Sequence, residues 1–416
     1  MTDQPISVAA RPAALAFIFV TVVLDVVSMG IIIPVLPKLV EQFMSGDTAR
    51  AATMFGAFGT VWALMQFVCS PIIGMLSDRF GRRRVILLSN LGLGLDYIVM
   101  ALAPTLGWLF VGRVISGVTG ASWSTAGAYI ADVSPPEKRA SGFGLLGAAF
   151  GLGFVIGPAL GGLLGSVNPR LPFWVAAGLT LLNALYGLFV LPESLAPHKR
   201  ITALDWSRAN PLGSLTLLRS HHELFGLAAV NVLYFLAHNV MPSVFVLYAG
   251  HRYGWDARDV GLCLAAVGVA TMIVQGALVK PAVARIGERR ALLTGLFFGT
   301  VSFAIWGLAP TGALAMLAIP FGALMGLYGP SAQGLMTRRV SHAEQGQLQG
   351  ANSSMMGITG MIGPTLFSAT FAYFITPRGA ISLPGAPFVL AALLTSVALF
   401  MAWRVTRPGA AAPAIS

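Results

Sequence analysis

Charge is what this chain has least of: only 10% of its 416 residues are Asp, Glu, Lys or Arg. A soluble domain carries roughly a quarter, so a surface this poor in charge does not face water on all sides. Cysteine is nearly absent as well. Cys69 and Cys263 both fall inside apolar runs, which excludes a disulfide framework and leaves two small buried hydrophobes. No G-x-x-x-x-G-K-[ST] loop is present to cradle phosphates, and no nucleotide or other cofactor is expected. The 48 glycines follow no three-residue period, which excludes collagen.

What is there is apolar: 56% of the residues are hydrophobic. A membrane span needs about 20 of them in a helix. Twelve such runs are expected, near 13–36, 52–75, 84–104, 107–130, 142–166, 171–191, 223–248, 258–282, 291–309, 312–335, 346–374 and 385–404. The first is long, lacks a small-residue cleavage site and contains Asp25, so it reads as a span and not as a secretory signal. The fold class is therefore an all-α polytopic membrane protein in a lipid bilayer.

A net charge of +11 invites a nucleic-acid reading, and the placement of the charges removes it. Arg79, Arg82, Arg83, Arg84, Lys199, Arg200, Arg285, Arg289, Arg290, Arg338 and Arg339 all fall in even-numbered connections. The odd-numbered connections hold only Lys38, Arg50, Arg170, Arg252, Arg258 and Arg378. Cationic loops stay in the cytoplasm. Both termini are expected there, and no nucleic acid is expected as partner.

The most charged stretch, "SDRFGRRR" at 77–84, has a weaker echo in "ARIGERR" at 284–290, with Asp78 falling on Ala284 at an offset of 206 residues. At that offset "GFVIGP" (153–158) also falls on "TGMIGP" (359–364). Two matches at one offset indicate a duplicated half of six helices, the sequence mark of a transporter built from two repeats. The expected domains are 1–191 and 223–416, joined by a cytoplasmic linker at 192–222.

"GMLSDRFGRRRV" (74–85) resembles the loop signature of the major facilitator superfamily. "GLGFVIGPALGG" (151–162) resembles the helix-five signature of its drug:proton antiporters. "LDVVSMGIIIPVLP" (24–37) and "GRVISGVTGASWSTAGAYIADV" (112–133) are similar to the signatures of helices one and four. Within the superfamily the chain is most similar to bacterial tetracycline exporters, as in "LDYIVMALAP" (95–104) and "QGQLQG" (345–350). The resemblance implies a conformational gate formed by Gly74, Asp78, Arg79, Gly81, Arg82, Gly157 and Pro158, with a latch between the halves. An aspartate at 78 also suits the positive end of a neighbouring helix, and Gly153, Gly157 and Gly161 share one helical face, where small residues let helices approach closely. The likeness departs at two places. Thr271 and Gly299 stand where the exporters carry a histidine and an acid.

A charge left uncompensated at mid-membrane costs at least about 3 kcal/mol, so such residues mark pathways or pairs. Asp25, Asp96 and Arg113 are the candidates for proton coupling, with Asp132 near the end of helix four. In the second half Asp25 falls on Asn231 and Asp96 on Ser302. Asn231, Tyr234 and His238 form one polar stripe, and with Gln66, Gln275, Gln333, Asn352 and Met355 they are the candidate substrate-binding residues. Tyr129, Tyr328 and Met356 are expected as apolar walls. The His221–His222 pair is too bare for a metal site, and no metal is expected. The expected function is proton-coupled efflux of a small amphipathic, drug-like compound from the bacterial inner membrane. The partners are a small-molecule substrate, protons and lipid, the chain acts as a monomer, and no enzyme activity is expected. The alternative is a proton-coupled importer or a facilitator of a small metabolite.

Overall fold

The computed structural model describes residues 11–120, 122–135, 139–202, 210–220, 222–341, 344–376 and 382–407. All regular structure among them is helical. Hydrocarbon offers no hydrogen-bond partners, so each segment must satisfy its own backbone, and a helix does.

The first half of the chain holds α1 (Arg11–Ile32), α2 (Leu36–Phe43), α3 (Thr48–Phe80), α4 (Arg82–Leu102), α5 (Leu106–Thr119), α6 (Ser122–Val133), α7 (Arg139–Val167) and α8 (Leu171–Val190). After the short α9 (Thr216–Ser220) come α10 (His222–His238), α11 (Val240–Tyr253), α12 (Ala257–Ile273) and α13 (Val279–Leu308). The chain finishes with α14 (Gly312–Ala315), α15 (Ala318–Leu324), α16 (Tyr328–Thr337), α17 (Gln345–Ile375) and α18 (Ala386–Val405). Residues 203–209 and His221, within the expected linker, lie outside the described residues.

Ten stretches among the described residues are long and apolar enough to cross a bilayer. One of them, Ala257–Leu308, runs for 52 residues, which is about 78 Å of helix against about 30 Å of hydrocarbon. It must turn back, and the turn is at Gly287, with φ 78° and ψ 158°. The remaining crossing is shared by α5 and α6, of 14 and 12 residues. Twelve crossings result, as the apolar runs predict.

Irregularities have local causes. Pro34 and Pro37 have no N–H to give, and the chain turns between α1 and α2 at that point. Pro71 lies within α3, Pro158 within α7 and Pro364 within α17. Between α12 and α13 the residues Val274–Leu278 wind as a π turn, a form that concentrates at functional sites.

The described residues cluster into two compact units. The first comprises those of Met1–Ser45, Val61–Asn210 and Asp256–Gly268. Within it α1 packs on α7 and α8, and α4 on α8. Ala14, Ile18, Val22 and Val26 of α1 join Tyr129, Ile130 and Ala149 in its core. The seam between α1 and α7 is backbone against backbone: a Cβ on Gly157 would lie 2.6 Å from Gly30 Cα, and one on Gly161 would lie 1.9 Å from Ile31 O. The glycine face of α7 therefore meets helix one of its own half. The neighbouring face, at the Pro158 carbonyl and Gly162, takes Gly261 and Ala257 of α12.

The second unit comprises Gly46–Thr60, Pro211–Trp255 and the described residues from Val269. There α13 and α10 pack on α18, and α10 and α11 on α17. Val230, Leu292, Leu296, Tyr328 and Ala398 form its core. Large apolar side chains such as Leu88, Phe189 and Leu393 remain outward, the surface that hydrocarbon covers.

Candidate functional site

In the first unit α1 carries Thr21, Asp25 and Ser28 along one side. Asp25 is half-buried and is met by two buried amides. Asn183 Nδ2, on α8, donates to Asp25 Oδ1 at 2.8 Å and to the Thr21 carbonyl at 2.9 Å. Asn90, on α4, sets its amide against the same group; the assignment that satisfies both atoms turns its nitrogen to the two Asp25 oxygens, 3.2 Å from each, and its oxygen to Asn183 Nδ2 at 3.1 Å. Three helices thus converge on one carboxylate, and no cation lies within 4.0 Å of it among the described residues. An acid held by amides exchanges a proton without breaking an ion pair. Neither Asn90 nor Asn183 stands out in the sequence. The signal that finds them is an amide placed in an apolar helix, which must seek a polar partner.

Asp96 of α4 is buried, and neither of its oxygens has a hydrogen-bond partner among the described residues. Its Oδ1 lies against the backbone of Gly112 on α5, where a Cβ would approach to 2.8 Å. The next residue, Arg113, turns to α3 instead. Its guanidinium sits 5.3 Å from the Trp62 ring centroid, a cation–π contact, and it forms no ion pair with Asp96. Gln66, also on α3, sets its amide nitrogen against Gly120 at the break between α5 and α6. It belongs to the first unit, whereas the other candidate substrate residues belong to the second.

In the second unit the polar stripe of α10 is the centre of a chain of contacts. Asn231 Nδ2 donates to Asn352 Oδ1 at 3.0 Å, and Asn352 Nδ2 donates to Gln333 Oε1 at 3.0 Å. The Tyr328 hydroxyl donates to Asn231 Oδ1. Tyr234 stacks on Tyr328 with centroids 3.8 Å apart and on the exposed His238 at 5.9 Å. Gln333 Nε2 is buried with no partner among the described residues. Five of the eight predicted substrate residues are gathered here: Asn231, Tyr234, His238, Gln333 and Asn352. Tyr328 does more than form a wall, because its hydroxyl orients the hub amide. Gln275 stands apart in the π turn, beside Gly326, and Met355 is buried one turn after Asn352.

The charged turn between α3 and α4 is a third cluster. Arg82 is its hub, bonding Asp78, Asp132 at 3.2 Å and the Ser77 hydroxyl at 2.6 Å. Gly81 supplies the turn with φ 98°, a conformation costly for any side chain. Arg79 is exposed and rests 5.4 Å from the Phe80 ring centroid, and the Gly74 carbonyl accepts from Ser77. Gly157 and Pro158 lie on α7, away from this turn. The acid that meets the positive end of α4 is not Asp78, which Arg82 holds, but Glu193: its Oε1 accepts from Arg82 N at 2.9 Å. Tyr129 also belongs here, donating to the Pro192 carbonyl at 2.9 Å.

Comparison with known proteins places this arrangement. The family pattern described as Major Facilitator Superfamily matches residues 18–364 and 227–415. A class C tetracycline resistance protein of Escherichia coli is 38% identical over 360 residues, covering 86% of this chain and 90% of that one. A class H tetracycline resistance protein of Pasteurella multocida is 31% identical, covering 93% and 96%. In three dimensions the nucleoside transporter NupG superposes with a TM-score of 0.75 at 13% identity, covering 95% of this chain and 99% of that one. The human organic anion transporter MFSD10 gives 0.70 at 22%, covering 96% and 100%. These two likenesses concern the fold. By pattern, relatives and fold, the chain is a multi-pass membrane protein that belongs to the major facilitator superfamily.

Proposed function

We propose that this chain exports small amphipathic, drug-like compounds in exchange for protons by alternating access. The observation that carries the reading is the Asp25 carboxylate, half-buried within α1 and held by amides of α4 and α8, with no cation within 4.0 Å of it among the described residues. Such a group takes and gives a proton as its surroundings change, and it sits in the unit that also holds Asp96 and Arg113. Identities of 31–38% with several tetracycline resistance proteins support export over import.

The compound is met in the second unit by the Tyr234–Tyr328 stack and by the amides of Asn231, Gln333 and Asn352, with Gln275, His238 and Met355 as further contacts. A flat molecule bearing hydrogen-bond acceptors suits stacked rings and the Gln333 Nε2, which has no partner among the described residues. Thr271, at the end of α12, and Gly299, within α13, stand in place of the exporters' histidine and acid, so a metal chelate is not required of the substrate. The turn at Asp78, Gly81 and Arg82 acts as the gate, with Gly74, Arg79, Gly157 and Pro158 contributing. The protein works as a monomer in the bacterial inner membrane, with both termini and the charged turns in the cytoplasm.

The test is proton release from inside-out vesicles on addition of tetracycline or ethidium. Export predicts release that Asp25→Asn abolishes. Flux of either compound with no proton movement would identify a facilitator instead.

A further inference from the structure

The residues that follow α8 do not leave the protein at once. Pro192–Ile201 lie against the charged turn and are tied to it at several points. The Ser194 hydroxyl donates to Asp132 Oδ2 at 3.1 Å, and Ile201 N donates to the Asp78 carbonyl at 3.2 Å. Arg83 donates to the Leu188 carbonyl, and Tyr129 to that of Pro192.

The centre of this strap is Glu193, which is 9% exposed. Its Oε1 accepts from the backbone N–H of Arg82 at 2.9 Å, of Arg83 at 3.5 Å and of Leu195 at 3.1 Å. Its Oε2 lies 3.7 Å from the Arg200 guanidinium. The first N–H groups of a helix have no partner within it, and Gly81 has no side chain to give one. A carboxylate from elsewhere fills that role, and the positive helix end favours it. The fit leaves no spare room: a Cβ on Gly81 would lie 2.2 Å from Glu193 Oε2. Gly81 is thus required both by its φ and by the strap.

We infer that Glu193 is a positioning residue of the gate: it fastens the first ten residues of the connection between the repeats onto the charged turn, and transport requires that this strap hold and release. The inference rests on the reading of that turn as a gate. It gives the connection a mechanical task, since movement of the linker reaches the start of α4 through the Arg82 and Arg83 N–H groups that donate to Glu193.

The experiment places a cysteine at Ala196, buried in the strap, with Cys69 and Cys263 replaced by serine. A membrane-impermeant maleimide then labels inside-out vesicles with and without an ATP-driven proton gradient. Release during cycling predicts labelling at least threefold faster with the gradient. Glu193→Ala is expected to raise the gradient-free rate about tenfold. It should also lower the maximal rate of tetracycline or ethidium transport several-fold with KM unchanged. Glu193→Gln keeps an acceptor for the α4 N–H groups and should recover much of the loss. Labelling unchanged by both the gradient and Glu193→Ala overturns the inference, and the labelling of the Ala196→Cys parent decides even where Glu193→Ala fails to accumulate. Asp78→Asn is run beside it. A dead Asp78→Asn with a normal Glu193→Ala sinks the strap and leaves the gate. A normal Asp78→Asn, or a parent that moves neither compound, removes the gate or export reading and the strap with it.

Discussion

Glu288 and Arg338 pair at 3.0 Å, each standing 206 residues after Arg82 and Asp132, which pair at 3.2 Å. The same two places of the repeat thus hold an ion pair twice, with the charges exchanged. Gly81 and Gly287, one residue earlier, share the offset and the positive φ.

The two pairs are not equally valuable. Arg338 is 75% exposed, whereas Arg82 is 10% exposed and has three partners. An exposed pair contributes about 0.2–1 kcal/mol, and a buried cation stripped of partners costs more. Arg338→Ala is therefore expected to lower the melting temperature in detergent by no more than a few degrees, and Asp132→Ala by clearly more. The double exchange Glu288→Arg with Arg338→Glu should return the second unit to the parent value. Equal losses from Arg338→Ala and Asp132→Ala would contradict this ranking.

Asn183→Ala removes the donor shared by Asp25 and the Thr21 carbonyl. Leaving buried acceptors unmade costs about 1–3 kcal/mol, so both stability and proton exchange should fall. The Thr180 hydroxyl, one turn earlier on α8, is buried with no partner among the described residues, and Thr180→Val should leave both intact. Thermal unfolding and vesicle proton release, measured on the same preparations, check the contrast.

Glycines divide by what surrounds them. Gly161→Ala sets a methyl 1.9 Å from the Ile31 carbonyl, and that variant is expected to lose most of its membrane abundance. Around Gly74 nothing lies within 4 Å of the place a Cβ would take, so Gly74→Ala should accumulate normally. Any transport defect in it then reports on gating and not on packing. Quantitative immunoblots beside transport rates separate the two.

Tyr328→Phe keeps the ring stacked on Tyr234 and removes the hydroxyl that holds Asn231. If the cluster binds the compound, KM for tetracycline or ethidium should rise about tenfold, roughly 1.4 kcal/mol, with the maximal rate little changed. A lower maximal rate at constant KM would assign the cluster to the conformational step.

Much of this is legible in the sequence. Apolar length gave the twelve crossings, and the echo at 206 residues anticipated the paired glycine turns. The polar stripe of α10 was visible because Asn231, Tyr234 and His238 recur at helical spacing. What stayed hidden depends on partners distant in sequence. Glu193 looks like any acid in a connection until α4 begins beside it. Asn90 and Asn183 are unremarked amides until three helices bring them to Asp25. The glycine face of α7 announces a close approach without naming its partner, and the partner is α1. Arg113 beside an acid in an adjacent helix suggests a pair, yet Trp62 takes the guanidinium.

Pro71 in α3 and the π turn at Val274–Leu278 have a bearing on how such a pump flexes. The counterpart of Pro71 at the offset of 206 is Ala277, within that turn, so both copies interrupt the backbone ladder at the same position of the sequence, one by losing a donor and one by widening the coil. Pro71→Ala would restore a donor to α3 alone and is expected to leave the widened turn of the second copy unchanged.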